Sequence, residues 1–233
     1  MSSSETALSI LKQLIAIPSQ NPMGHEPVGS GWLEAGMSNW LRQFFTSHSI
    51  PHEYHEIEPE RGNVVAFLAG EPERPTILLD AHQDTVPVAG MTIEPYAPVE
   101  SRGRLYGRGA CDVKGSMAVI LSVLLKLKAS RQKHAPVLVS LTCDEERTQK
   151  GAADLVRRLH QPENERSPLL RHRPAMAIVS EPTDLNVVVA HKGTVRWKIK
   201  THGIAAHSSD PSKEAVRSTR WPTSSKFWNV MQT

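Results

Sequence analysis

The stretch TILLDAHQDTVP, residues 76–87, decides the fold. Its first five residues form a short apolar run with no polar alternation, the pattern of a strand buried on both faces. The run then gives way to His82 and Asp84, two groups able to bind a ligand. In an open α/β sheet, ligands collect at the carboxyl ends of the strands. A buried strand that finishes in an imidazole and a carboxylate fits that architecture.

Working outward, residues 63–68, 137–142 and 175–180 are similar short apolar runs and are predicted as strands. Between them the period changes to that of a helix, at 116–128 (SMAVILSVLLKLK) and 151–159. Two helices are predicted upstream. Residues 2–16 carry capping-box spacing at Ser2 and Glu5, with Leu8, Leu11, Leu14 and Ile15 on one face. Residues 31–47 place Leu33, Met37, Trp40, Leu41 and Phe44 on a buried stripe. Strands alternating with helices imply an α/β fold, a sheet covered on both sides. Near residue 190 the character shifts: TVRWKIKT, residues 194–201, alternates apolar and polar as a strand with one wet face does. This segment is expected to open a second, smaller α+β domain. No internal repeat or low-complexity tract is evident.

Composition excludes several classes. Of 233 residues, 39% are hydrophobic and 22% charged, ordinary for a globular protein. A net charge of +3 without a dense Lys/Arg block gives no nucleic-acid footprint. No apolar run approaches the ~20 residues of a membrane span. The start, MSSSETALSI, lacks the basic and apolar regions of a signal peptide. Two cysteines, Cys111 and Cys143, make no disulfide framework. The expected location is cytoplasmic, with no nucleic-acid or membrane partner.

The candidate chemistry lies at predicted strand ends. His82 and Asp84 follow the first strand, and Asp112 sits in YGRGACDVKGS (residues 106–116), a glycine-rich loop that opens a helix. Glu145 and Glu146 follow VLVSLT, and Glu181 follows AMAIVS. Singly, each has an ordinary reading: Asp84 capping a turn, Asp112 at a helix entry, the paired glutamates on a solvated face. Together they are harder to explain, because carboxylates do not collect at a buried sheet edge without a cation to offset them. Mixed histidine and carboxylate ligands suit zinc or a similar divalent ion.

Four motifs carry a resemblance. AHQDTVP (81–87), LYGRGACDVKGSMA (105–118), DEE (144–146) and SEPTDL (180–185) resemble, in order and spacing, the metal motifs of the M20 peptidase and deacylase family. The acetylornithine deacetylase/succinyl-diaminopimelate desuccinylase branch is the most similar, and the likeness covers about residues 1–213. It implies a zinc-peptidase-like catalytic domain with a mixed, mainly parallel sheet covered by helices. It also implies two divalent metal ions, zinc first, with cobalt or manganese as alternatives. His82, Asp112 and Glu181 would hold one ion, Asp112 bridging to the other at Glu146. Glu145 resembles the general base, and Asp84 the carboxylate that orients His82. A cis peptide is implied at Asp112–Val113. His207, in GIAAHSSDP, resembles the second-domain histidine that stabilises a tetrahedral oxyanion, often across a homodimer. His191 and the two cysteines are read as structural. The implied activity is metal-dependent hydrolysis of an amide in an N-acyl amino acid or small peptide. A dipeptidase or carboxypeptidase, or an inactive metal-binding fragment, is the alternative.

The pattern breaks after about Lys213. Family members continue through a second domain and return to the first with a last histidine ligand, so the Glu146 site is expected to be one ligand short here. Residues 1–190 are expected as the catalytic domain without its return segment, and 191–213 as the start of a lid or dimerisation domain. The tail 214–233 lacks usable periodicity. Read one base out of register, Trp221–Pro222 must encode alanine, Phe227–Trp228 leucine, Trp228–Asn229 glutamate and Met231–Gln232 alanine. With permitted codon choices elsewhere the shifted frame reads as an amphipathic helix, so the tail is expected to be a frameshifted reading that resequencing would expose.

Overall fold

The computed structural model describes residues 6–27, 29–130, 132–190 and 193. The chain divides into two units, Met1–Asn186 and Val187–Thr233. The first is described here. The predicted strand at 194–201, the tail 214–233, His191 and His207 lie outside the described residues.

Two helices come first, α1 (Ala7–Ile15) and α2 (Ala35–Ser47). The first begins later than predicted. Thr6, not Ser2, is its N-cap, and the Thr6 hydroxyl and Ser9 hydroxyl each take a backbone N–H of the other. The second also starts later, because Gly31 and Leu33 have positive φ (89° and 63°) and cannot belong to a helix. Leu33 therefore falls outside the buried stripe that Met37, Leu41 and Phe44 form.

The strands are β1 (His52–Glu58), β2 (Arg61–Leu68), β3 (Ile77–His82), β4 (Val99–Ser101), β5 (Arg104–Tyr106), β6 (Val137–Thr142) and β7 (Met176–Val179). Helix α3 (Lys114–Ala129) lies between β5 and β6, and α4 (Lys150–Leu159) between β6 and β7. Five strands form one sheet in the order β1-β2-β6-β3-β7, and β4 and β5 pair as a small antiparallel hairpin. In the sheet β6-β3-β7 is parallel and β1-β2-β6 antiparallel, so the sheet is mixed, with its parallel half carrying the candidate site.

Strands β2 and β6 are buried on both faces, and their side chains alternate between two cores. Val64, Ala66, Val137, Val139 and Leu141 pack with α1, α2 and α3 through Ile10, Leu14, Met37, Leu41, Phe45, Met117, Leu121 and Leu124. Val65, Phe67 and Leu138 face the opposite side with Leu155 and Leu159 of α4 and with Leu170. Period-2 side chains on a central strand serve helices on both faces, which fixes the register. Strand β7 departs from the expectation of double burial, with all four residues exposed. It is the edge of the sheet, bonded to β3 alone.

Helix α4 approaches the end of β6 closely, and Gly151 in its first turn permits this. A Cβ there would sit 2.5 Å from the Cys143 nitrogen and 2.6 Å from Asn63 Oδ1. The same approach lets Asn63 donate to the Gly151 carbonyl at 2.8 Å and accept the Cys143 N–H at 3.1 Å. The β6–α4 connection, which carries Asp144, Glu145 and Glu146, is thus anchored at both ends. Among the described residues no helix is long and apolar enough to cross a membrane.

Candidate metal centre

Parallel pairing sets β3, β6 and β7 with their carboxyl ends on one side. His82 is the last residue of β3 and pairs in register with Thr142, the last of β6. Glu145 and Glu146 lie three and four residues past β6, and Glu181 lies two residues past β7. Asp112 arrives from another direction, on the loop that enters α3. Gly109 lets that loop run against the β3 end, since a Cβ there would meet Thr85 Cγ2 and Lys114 Cδ at 2.9 Å and its φ is 78°. The Asp112–Val113 peptide is cis.

These residues converge. Ligand atoms of His82, Asp112 and Glu146 lie within 4.8 Å of one another, and so do those of His82, Glu145 and Glu181. His82 is central to both groups. It is buried, whereas Glu145 and Glu146 are half-buried and Asp112 and Glu181 open to solvent. The structure therefore brings together every candidate ligand within the described residues.

The imidazole has two defined partners. Its Nε2 lies 3.0 Å from Asp112 Oδ1, and its Nδ1 lies 2.8 Å from the Asp84 carbonyl oxygen. The expectation for Asp84 needs a change of atom here. Its carboxylate is 3.8 Å from Nδ1, beyond hydrogen-bond reach, and the backbone carbonyl takes the Nδ1 proton instead. The carboxylate has a different task. Its oxygens accept the N–H groups of Glu145 at 3.0 Å and Glu146 at 3.1 Å, and the Asn21 amide at 2.8 Å. Asp84 thus touches the histidine through its backbone and the glutamate turn through its side chain.

Charge around His82 is lopsided. Burial works against an imidazolium, but the hydrogen bond to Asp112 and the charge of Asp84 outweigh it and raise His82 to about 9. The same hydrogen bond holds Asp112 below the usual carboxylate range. Glu146 and Glu181 are pushed up, first by burial and then by the neighbouring carboxylates. One proton on His82 is the positive charge that this cluster collects on its own. A divalent cation fits the same place: Nδ1–H is fixed on a carbonyl, leaving Nε2 as the lone pair, with carboxylate oxygens around it.

Behind the cluster lies a buried network that sequence reading missed. Asn21 Nδ2 donates to Asp84 Oδ2 (2.8 Å) and to Asp144 Oδ1 (2.9 Å). Arg61 donates to Glu34 Oε2 (2.8 Å) and to Asp144 Oδ1 (2.7 Å). Two buried carboxylates, on Glu34 and Asp144, therefore share one guanidinium, and Asn21 links the third, on Asp84, to Asp144. Burial pushes Glu34 up to about 7 in spite of the arginine, while the surrounding carboxylates outweigh burial at Arg61 and raise it further. Asp144 moves down, because Thr148, Asn21 and Arg61 together overcome its burial. A charge opening the apolar strand GNVVAFL was the available signal for Arg61; nothing local marked Asn21.

Fold and donor set define an α/β protein that gathers one imidazole and four carboxylates at the ends of its parallel strands. Comparison with known proteins gives this class a family. The sequence profile of peptidase family M20/M25/M40 matches residues 78–224. The chain is 35% identical over 175 residues to an acetylornithine deacetylase of Vibrio atlanticus (strain LGP32), covering 74% of this chain and 42% of that protein. It is 32% identical over 210 residues to the acetylornithine deacetylase of Pasteurella multocida (strain Pm70), covering 88% of this chain and 50% of the relative. Among solved structures, human carnosine dipeptidase 1 shares the fold with a TM-score of 0.55 at 19% identity, over 73% of this chain and 37% of that one. The chain belongs to the M20 family. It spans about half the length of the curated relatives it matches.

Proposed function

We propose that this chain carries the metal-binding half of an M20 amidohydrolase, one that cleaves the amide bond of an N-acyl amino acid. The observation that supports this most is the convergence of His82, Asp112, Glu145, Glu146 and Glu181 at one sheet edge, within ligand-to-ligand distances of 4.8 Å in each group. In this reading, whose partition follows the motif resemblance and differs from the two geometric groups, His82, Asp112 and Glu181 hold one divalent ion, and Asp112 and Glu146 hold a second. Zinc suits this oxygen and nitrogen donor set, and cobalt or manganese would also be accepted.

Bound ions would supply Lewis acidity to a substrate carbonyl and acidity to a nearby water. The chain's own residues supply the proton handling. Glu145 is half-buried, stands in one of the two ligand groups, and is held at its backbone by Asp84. Its carboxylate takes a proton from the water that adds to the carbonyl carbon, and returns it to the nitrogen as the C–N bond breaks. Asp84 steadies both actors, His82 through its carbonyl and Glu145 through its carboxylate. His207 would stabilise the oxyanion in a homodimer of the whole protein.

That the curated relatives are acetylornithine deacetylases supports the acyl amino acid reading over the dipeptide one. Zinc-loaded protein assayed on N-acetyl amino acids and on dipeptides tests both. Faster release from the acetylated set supports the deacylase reading. Faster dipeptide cleavage replaces it with a dipeptidase, and metal uptake without turnover on either set reduces it to a metal-binding fragment.

A further inference from the structure

Asp144 immediately precedes the two site glutamates, and its backbone is in the left-handed region, with φ of 60°. Aspartate visits that conformation more readily than most residues with a side chain, and it is held there when its surroundings bond it in place. Arg61 and Glu34 bond Asp144 from both sides. Arg61 Nη1 grips the Asp144 carboxylate at 2.7 Å, while Glu34 Oε1 accepts the Asp144 N–H at 3.1 Å. Arg61 Nε joins the two grips by donating to Glu34 Oε2 at 2.8 Å. Asn21 and Thr148 side chains also donate to the Asp144 carboxylate. The turn produced at Asp144 aims the next two N–H groups at Asp84.

We propose that Arg61, a residue that touches neither ligand group, is a positioning residue for the metal centre. Through Asp144 it holds the left-handed turn that delivers the Glu145 and Glu146 carboxylates to His82. A planar guanidinium presents Nε to Glu34 and Nη1 to Asp144 in a fixed fork, a geometry that a single ammonium nitrogen does not reproduce. The burial of Arg61 supports a shaping role: it is 5% exposed, and among the described residues its Nη2 makes no hydrogen bond. The bonds this buried arginine does make are the two of the fork, to Glu34 and Asp144. This proposal rests on the reading of Glu146 as a ligand.

The test uses zinc affinity, by competition with a chromophoric chelator, and the visible spectrum of the cobalt-loaded protein. Arg61→Lys should weaken the ion that depends on Glu146 by about 10–100-fold and alter the cobalt spectrum. Asp144→Asn, which keeps an acceptor and tolerates positive φ, should retain most of the affinity. Leu155→Ala, in the core on the far face of the sheet, lowers thermal stability and should leave the spectrum unchanged, separating positioning from general loosening. Unchanged affinity and spectrum in Arg61→Lys would overturn the proposal. If that variant does not fold, Asp144→Gly, which cuts the grip and permits positive φ, must show the same loss, and wild-type affinity there overturns it equally. Glu146→Gln is run in parallel: if it leaves zinc binding intact, the ligand reading fails whatever Arg61 does.

Discussion

Replacing Asn21 tests how the site is held together. Its side chain is fully buried, its Oδ1 accepts the Met23 N–H at 3.0 Å, and its amide hydrogens therefore both face carboxylates, on Asp84 and Asp144. A hydrogen bond to a charged group is worth about 1.5–3 kcal/mol. Two of them set the expected loss for Asn21→Ala at about 3–6 kcal/mol. The lower end is favoured, because Asp84 Oδ2 keeps the Glu146 N–H and Asp144 Oδ1 keeps Arg61. Asn21→Asp has the same shape but the opposite effect on charge. A third carboxylate placed beside two others must stay protonated to be tolerated, so its folded-state pKa lies above its unfolded value of about 3.9. A group raised in this way loses stability as pH rises through the folded pKa. Urea denaturation of both variants should therefore show Asn21→Asp penalised more at about pH 8 than at about pH 5, with Asn21→Ala nearly flat between them. A loss below about 1 kcal/mol for Asn21→Ala, or a pH-independent loss for Asn21→Asp, would refute the reasoning.

Other perturbations follow from the same geometry. Glu145→Gln should keep metal uptake but lower kcat by about 10²–10⁴-fold, measured on the best N-acetyl amino acid, because it removes the proton acceptor and leaves the ligands. His82 in the metal-free protein is raised from 6.5 to about 9. Its protonated form therefore stabilises the metal-free fold below pH 6.5, and that contribution disappears as pH climbs through 9. Because a metal must displace that proton, zinc affinity measured by chelator competition should climb about tenfold per pH unit through the neutral range. Gly151→Ala should destabilise the fold by about 1–3 kcal/mol in urea titration, since the new methyl meets the Cys143 backbone rather than a yielding side chain.

The parallel half of the sheet was legible because its strands are apolar runs that end in chemistry. Residues 137–142 coincide with β6, and 76–80 and 175–180 fall within two residues of β3 and β7. Strand β1 was not legible: HEYHEIE carries three glutamates and two histidines, and it is the outer strand of the antiparallel half, so only part of it needs burial. The double burial expected of 175–180 failed for the matching reason, since an edge strand need not be covered on both faces. At the site, motif spacing identified the residues that meet, but not which atom of Asp84 meets His82. That choice depends on the turn at 82–84, where the carbonyl falls closer than the side chain. The network of Asn21, Glu34, Arg61 and Asp144 joins residues up to 123 positions apart. Local pattern carries no information about such pairs; they arise where the α1–α2 connection, the start of β2 and the turn after β6 meet.

Asp112 offers the most direct test of the central claim that these strand ends form a metal centre. It bonds His82, shares a ligand group with Glu146, and is open to solvent, so its replacement disturbs chemistry with little cost in packing. Zinc retained after equilibrium dialysis should be stoichiometric for the wild-type chain and largely lost in Asp112→Ala, with the metal-free variant still melting cooperatively and lowered only by loss of the His82–Asp112 bond. Full zinc retention by Asp112→Ala, or none by the wild type, would contradict the account.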